Sequence, residues 1–188
     1  NLVHFLENHQ GVQNVSFKVR EPVSSHLFHT WPNQVQVVDG TASMSTLHIT
    51  LPEDYKAFLS CCDGLTLTYE MQSLPFGYMN INSLDQMKSI DRESLLLLKQ
   101  VCDNVICAFH IDSKPNNGRV ALVYKRESPD KIVTEIWFQD LSAEWFFITF
   151  SFTQYFRLCL LHLGIPNWQY AFTSSGLPPN SRMWFAFL

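Results

Sequence analysis

The sequence predicts an α+β fold: a single domain, mainly antiparallel sheet packed with helices, followed by an aromatic C-terminal arm. Three observations predict it. Apolar runs of strand length follow one another from Val105 to Phe138, separated only by turn-forming residues, the pattern of an antiparallel meander. Two other segments, Leu51 to Leu65 and Ser151 to Gly164, repeat their apolar residues at helical spacing and carry helix start and stop signals. Finally, 188 residues with 46% hydrophobic content can enclose one core, and no linker-like stretch divides them.

In chain order, Leu2, Phe5 and Leu6 share one face of a short helix that ends before Gly11, a residue suited to the left-handed position after a helix. Val15, Phe17 and Val19 alternate with Asn14, Ser16, Lys18 and Arg20, the period of a strand with one wet face, and Pro22 ends it. Trp31 to Ser45 reads as irregular; Leu47, Ile49 and Leu51 read as a second strand. In LPEDYKAFLSCCDGL, Pro52 suits a first helical position and Glu53 and Asp54 complement the positive end of the helix dipole. Tyr55, Phe58, Leu59 and Cys62 then form one apolar face before Gly64, a helix of about three turns. Leu65, Leu67 and Tyr69 restart strand alternation, and Ser83 to Ile90 reads as a short helix.

The meander comprises Val105 to Ile111, Val120 to Tyr124 and Ile132 to Phe138, joined through Pro115-Asn116-Asn117-Gly118 and Ser128-Pro129-Asp130. Ser151 and Gln154 match a capping box, opening a helix with Phe152, Tyr155, Phe156, Cys159, Leu160 and Leu163 at helical spacing until Gly164 and Pro166 stop it. No period holds after Ile165. Yet Trp168, Tyr170, Phe172, Trp184, Phe185 and Phe187 make this tail too aromatic to hang free, so it is expected to dock on the domain or on a neighbour. The expected partition is 1–34 for the first helix and strand, 35–164 for the core, and 165–188 for the arm.

Composition narrows the function classes. Charged residues are 16% of the chain, below the roughly 25% of an average domain, so part of the aromatic surface is expected to meet a partner. A net charge of −4, with no basic run longer than Lys125-Arg126, argues against nucleic acid. The apolar runs Trp145 to Phe150 and Leu158 to Leu161 fall far short of the ~20 residues of a membrane span, so no membrane partner is expected and the chain is expected to be soluble. Five Cys is an odd count, and Cys61 and Cys62 are adjacent, which suits reduced intracellular thiols better than a disulfide framework.

The chemistry-bearing motifs are sparse. The seven Gly are isolated, with no phosphate-cradling loop, no GxSxG elbow and no HExxH. His26 and His29 are spaced to share a ligand, and Cys102 and Cys107 are possible thiolates, but a closed zinc site needs four ligands and no second pair has compatible spacing. His110 beside Asp112 suits a structural role better than general-base catalysis. Glu53-Asp54 is explained by the helix dipole and Asp140 with Glu144 by a turn, leaving no carboxylate pair for catalysis. No catalytic residue, metal or cofactor is assigned. The candidate functional residues are the arm's Trp168, Tyr170, Phe172, Trp184 and Phe185, of the types enriched in binding hot spots, although capping the core would equally explain them.

Several motifs carry a family resemblance. Leu51-Pro52, Tyr55-Lys56-Ala57-Phe58-Leu59 and Asp63-Gly64 resemble the signature helix of the SUKH superfamily; Thr134 to Asp140 and Ser151 to Gly164 resemble its later strand and helix. Leu6 to Pro22, Gly118 to Lys125, His162 to Pro179 and Trp184-Phe185 further resemble the branch of that superfamily found in tubulin polyglutamylase complexes, over nearly the whole chain. The resemblance implies a SUKH-like domain acting as a noncatalytic scaffold subunit, without a cofactor of its own. Its implied partners are other complex subunits, including a tubulin-tyrosine-ligase-like enzyme that performs the ATP-dependent ligation, with tubulin contacted indirectly. It also implies the cytoplasm and cytoskeleton, at the centrosome or basal body or in the ciliary axoneme. The alternative is a structural microtubule-associated protein of axonemal doublets, with the arm clamping a filament partner. The arm separates the chain from the superfamily's toxin-neutralising immunity proteins.

Overall fold

A computed structural model describes residues 2–29, 31, 34–38, 44–113 and 118–185. The elements run α1 (Leu2–Glu7), β1 (Val12–Val19), β2 (Gln34–Val38), β3 (Met44–His48), α2 (Glu53–Leu59), β4 (Leu65–Met71), β5 (Leu74–Ile81), α3 (Arg92–Val101), β6 (Val105–Asp112), β7 (Arg119–Ser128), β8 (Lys131–Gln139), β9 (Trp145–Thr149), α4 (Phe152–Leu161) and α5 (Pro179–Phe185). Short 3-10 turns occupy Ser25–His29, Leu84–Gln86 and Trp168–Phe172.

The meander holds and gains a fourth strand, in the order β6-β7-β8-β9. A three-stranded sheet, β1-β4-β5, lies beside it, and the Asn82 amide just after β5 donates to the Ile111 carbonyl of β6 at 2.7 Å. β2 and β3 form a separate hairpin. All named pairings are antiparallel.

Every residue of β6 is buried because the four-stranded sheet is covered on both faces. On one face Leu98, within the last turn of α3, and Cys102, just after it, pack against Ala108, Ala121, Val123, Trp137 and Trp145, and the Trp145 indole donates to the Ser94 carbonyl at 3.1 Å. On the other, Phe109, Ile111, Leu122 and Phe138 share the main core with α2, α4 and the three-stranded sheet. There Tyr55 stacks on Phe152 with ring centres 4.1 Å apart, and Phe58 leans on Phe152 and Phe156. Asp54 has a task beyond the dipole of its own helix: its Oδ2 accepts from the Thr153 amide at 2.8 Å, capping the start of α4.

The structure corrects several expectations. α2 is two turns long rather than three, with Pro52 as its N-cap and Cys62 beyond its end. The expected helix at Ser83–Ile90 is one 3-10 turn, after which the chain runs along β6: Ser89 bridges Phe109, and the Ile90 amide donates to the Ala108 carbonyl at 3.0 Å. Backbone pairing takes precedence there over a short apolar period. The irregular reading of Trp31 to Ser45 misses β2 and the start of β3, while Ile49 and Leu51 are buried in the connector before α2 rather than in a strand. α3 and β9 had no assignment. In β1, Asn14 takes a left-handed conformation (φ 51°) at a bulge, and Phe17 and Val19, though opposite Leu67 and Leu65, stay about half exposed because β1 is an outer strand. Pro115, Asn116 and Asn117 of the expected turn lie outside the described residues.

Candidate protein-interaction site

The arm begins where α4 is forced to end. Leu163 and Gly164 are both left-handed (φ 54° and 76°), a reversal that glycine adopts without a Cβ penalty. Space matters too, since a Cβ on Gly164 would stand 3.1 Å from the Tyr78 backbone. The Gly164 carbonyl accepts from the Tyr78 amide at 2.8 Å, so the chain leaving α4 is pinned to β5.

Four residues on, Trp168 is 3% exposed. Its indole stacks on His162 at 4.7 Å and leans on Tyr155 at 5.9 Å. Burial lowers the His162 pKa, which favours the neutral imidazole in that stack. The Tyr170 ring meets Phe138 edge-on at 5.2 Å, and its hydroxyl accepts from the Leu141 amide at 3.3 Å. Further along, Ser181 in α5 donates to the Pro166 carbonyl at 2.8 Å, folding the arm back on its own start, and Arg182 Nε donates to the Leu177 carbonyl at 2.8 Å. The described part of the arm therefore packs against the rest of the domain.

Of the five candidate residues, Trp168 faces inward, Tyr170 is half-buried, and Phe172 is 37% exposed. Trp184 and Phe185 end α5, and their side chains lie outside the described residues. The sequence reading missed Met183, 60% exposed on α5, and Leu161, 70% exposed at the end of α4. Leu161 was legible only as one more apolar residue on a helix read as mostly buried.

The remaining candidates are scattered. His26 and His29 sit exposed in a 3-10 turn, while Cys102 and Cys107 belong to cores on opposite faces of the four-stranded sheet. Burial raises the Cys102 pKa and pushes that of Cys107 up to about 12, which opposes the thiolate a metal needs. All five cysteines are free thiols, and the described residues hold no cluster of three or more His, Cys, Asp or Glu suited to a metal. No helix among them is long and apolar enough to cross a membrane. His110 lies near Arg119 and Asp91, whereas Asp112 lines a cavity beside Tyr155. Asp140 caps its own turn, accepting from the Ser142 and Glu144 amides at 2.8 and 2.9 Å.

The sequence profile of the SMI1/KNR4 family (SUKH-1) matches residues 44–158, from β3 through most of α4. The chain belongs to this family. Its α+β architecture is that of a SUKH-like domain, as the resemblance implied. Two curated relatives extend the match: rat tubulin polyglutamylase complex subunit 2 is 30% identical over 215 residues, covering 98% of this chain and 68% of the relative. The human protein of the same name is 31% identical over 212 residues, covering 98% of this chain and 67% of the relative. No solved structure matches the chain significantly. The SUKH-1 match ends at residue 158, whereas the similarity to these two relatives covers 98% of the chain.

Proposed function

We propose that this chain is a noncatalytic scaffold subunit of a tubulin polyglutamylase complex, supporting the addition of glutamates to tubulin tails by a separate tubulin-tyrosine-ligase-like subunit. The observation that carries this reading is the extent of the match: similarity to subunit 2 covers 98% of the chain, including β1 and the arm that lie outside the family domain at 44–158.

Electrostatics favour an indirect relation to the substrate. Tubulin tails are acidic, and a chain of net charge −4 gains nothing from steering toward them. Partner subunits would be gripped by the outward side of the arm, through Phe172 and Met183 and with Trp184 and Phe185 as further candidates. Trp168 and Tyr170 would act from beneath, by holding the arm in shape. The expected place is the cytoskeleton, at the centrosome or basal body or along the axoneme.

The test is affinity purification of the tagged full chain from ciliated cells, with mass spectrometry and a glutamylation assay on the eluate. Recovery of an active tubulin-tyrosine-ligase-like enzyme is expected, with neither ATP hydrolysis nor glutamylation by the purified chain alone. Salt-resistant retention on axonemes with doublet-microtubule proteins and no ligase would overturn the scaffold role in favour of a structural one.

A further inference from the structure

Between the arm and the two sheets lies a partly enclosed cavity of about 20 Å³. Tyr78 and Asn80 of β5, Asp112 of β6, Tyr155 and Cys159 of α4 and Gln169 of the arm contribute its polar groups. Tyr155 is wholly buried, and its hydroxyl lies close enough to the Cys159 thiol and the Gln169 amide to interact with both, but makes no hydrogen bond of good geometry to any protein group. A buried hydroxyl without a partner is unfavourable, and native structures rarely leave one so when a polar cavity adjoins it.

The cavity is the right size for one small occupant. A water molecule needs roughly 10–15 Å³ of such space and 2–4 polar partners, both of which are present. An organic ligand needs a pocket of about 300 Å³ or more. A hard cation needs about six oxygen ligands, whereas the lining supplies one carboxylate, Asp112. We propose that this cavity is a binding site for a single water molecule that accepts from the Tyr155 hydroxyl and donates to the Asp112 carboxylate and the Gln169 amide oxygen. The water fastens three separate elements, α4, the end of β6 and the arm, at the point where the arm leaves the helix.

The sign of one substitution tests this. With the water in place, Tyr155→Phe deletes a satisfied hydrogen bond and shifts the unfolding equilibrium about fivefold toward the unfolded chain. In a dry cavity the same change removes an unpaired buried polar group, so equal or greater stability overturns the proposal. Tyr55 is the internal control: its hydroxyl is equally buried and unpartnered but lies outside this cavity, and Tyr55→Phe is expected to leave stability unchanged or raise it. Because a direct bond from Tyr155 to Gln169 would also make Tyr155→Phe destabilising, a high-resolution crystal structure of the full chain completes the test. One ordered water about 2.7–3.2 Å from Tyr155 Oη is expected. An empty cavity, a direct bond from Tyr155 to Gln169 or to Cys159, or density for a larger occupant overturns it.

Discussion

The His110 imidazole is buried in the wall of β6, and its Nδ1 has no hydrogen-bond partner. Desolvation, assisted by the Arg119 guanidinium and opposed by Asp91, lowers its pKa from 6.5 to about 4. Between those values the unfolded chain holds the extra proton and the folded one does not. The contribution of His110 to stability is therefore complete above pH 6.5 and is lost as pH falls toward 4, by at most about 1.4 kcal/mol per pH unit. His162, also lowered by burial, acts in the same direction. Asp85 and Asp91, whose pKa values are lowered by hydrogen bonds, lose their contributions only below the ordinary 3.8. Urea midpoints measured from pH 7 to pH 5 are expected to fall, and His110→Gln to flatten that fall. A slope unchanged in His110→Gln would refute the assignment.

The arm illustrates how an element without a period of its own is held by its neighbours. Its turn Trp168–Phe172 is anchored by one buried indole, and its helix α5 is tied back through Ser181 to Pro166. Removing the indole leaves a cavity against Tyr155 and His162, a change that costs about 3–5 kcal/mol in a packed core. In Trp168→Ala, limited proteolysis is expected to cut first between residues 165 and 178, while amide exchange in β7 and β8 stays slow. Loss of protection in the arm and the sheet together would mean that the arm and the domain form one cooperative unit.

For the molecule as a whole, anchoring falls chiefly to Trp168, while Phe172, edge-on to that indole at 6.2 Å, and Met183 offer surface for recognition. Trp168 lies beneath the arm, while Phe172 and Met183 remain exposed on it. The double substitution Phe172→Ala and Met183→Ala is therefore expected to cost less stability than Trp168→Ala and yet to reduce recovery of the ligase subunit in affinity purification. Undiminished recovery with a normal melting curve, in this variant and in one lacking Trp184 and Phe185, would move the partner surface off the arm. A candidate for its place would be the outer strand β1, whose Phe17 and Val19 are half exposed.

Several elements were legible from residue spacing alone. α4 shows an N-cap signal at Ser151, apolar residues every three or four positions and a glycine stop, and Ser151 does accept from the Gln154 amide at 3.3 Å. The other half of the expected capping box did not form, because Gln154 turns its side chain to Thr149 and the Phe150 amide instead. The three strands β6 to β8 were visible as continuous apolar runs, and β4 as alternation. α3 was overlooked although Asp91 caps it and Leu95, Leu98 and Cys102 keep helical spacing, since four consecutive leucines blur the period. These are local properties: burial on one face of an element repeats with that element's own geometry and is written into adjacent residues. The family, too, was readable at this level, in α2 and the residues flanking it. Where the arm lies, that Trp168 turns inward while Phe172 does not, that Asp54 caps a helix 99 residues away, and that Tyr155 faces a cavity lined by Asp112 were decided by tertiary structure alone. Each depends on which distant surface an element meets, and that choice is made by the packing of the whole core rather than by any spacing within a segment.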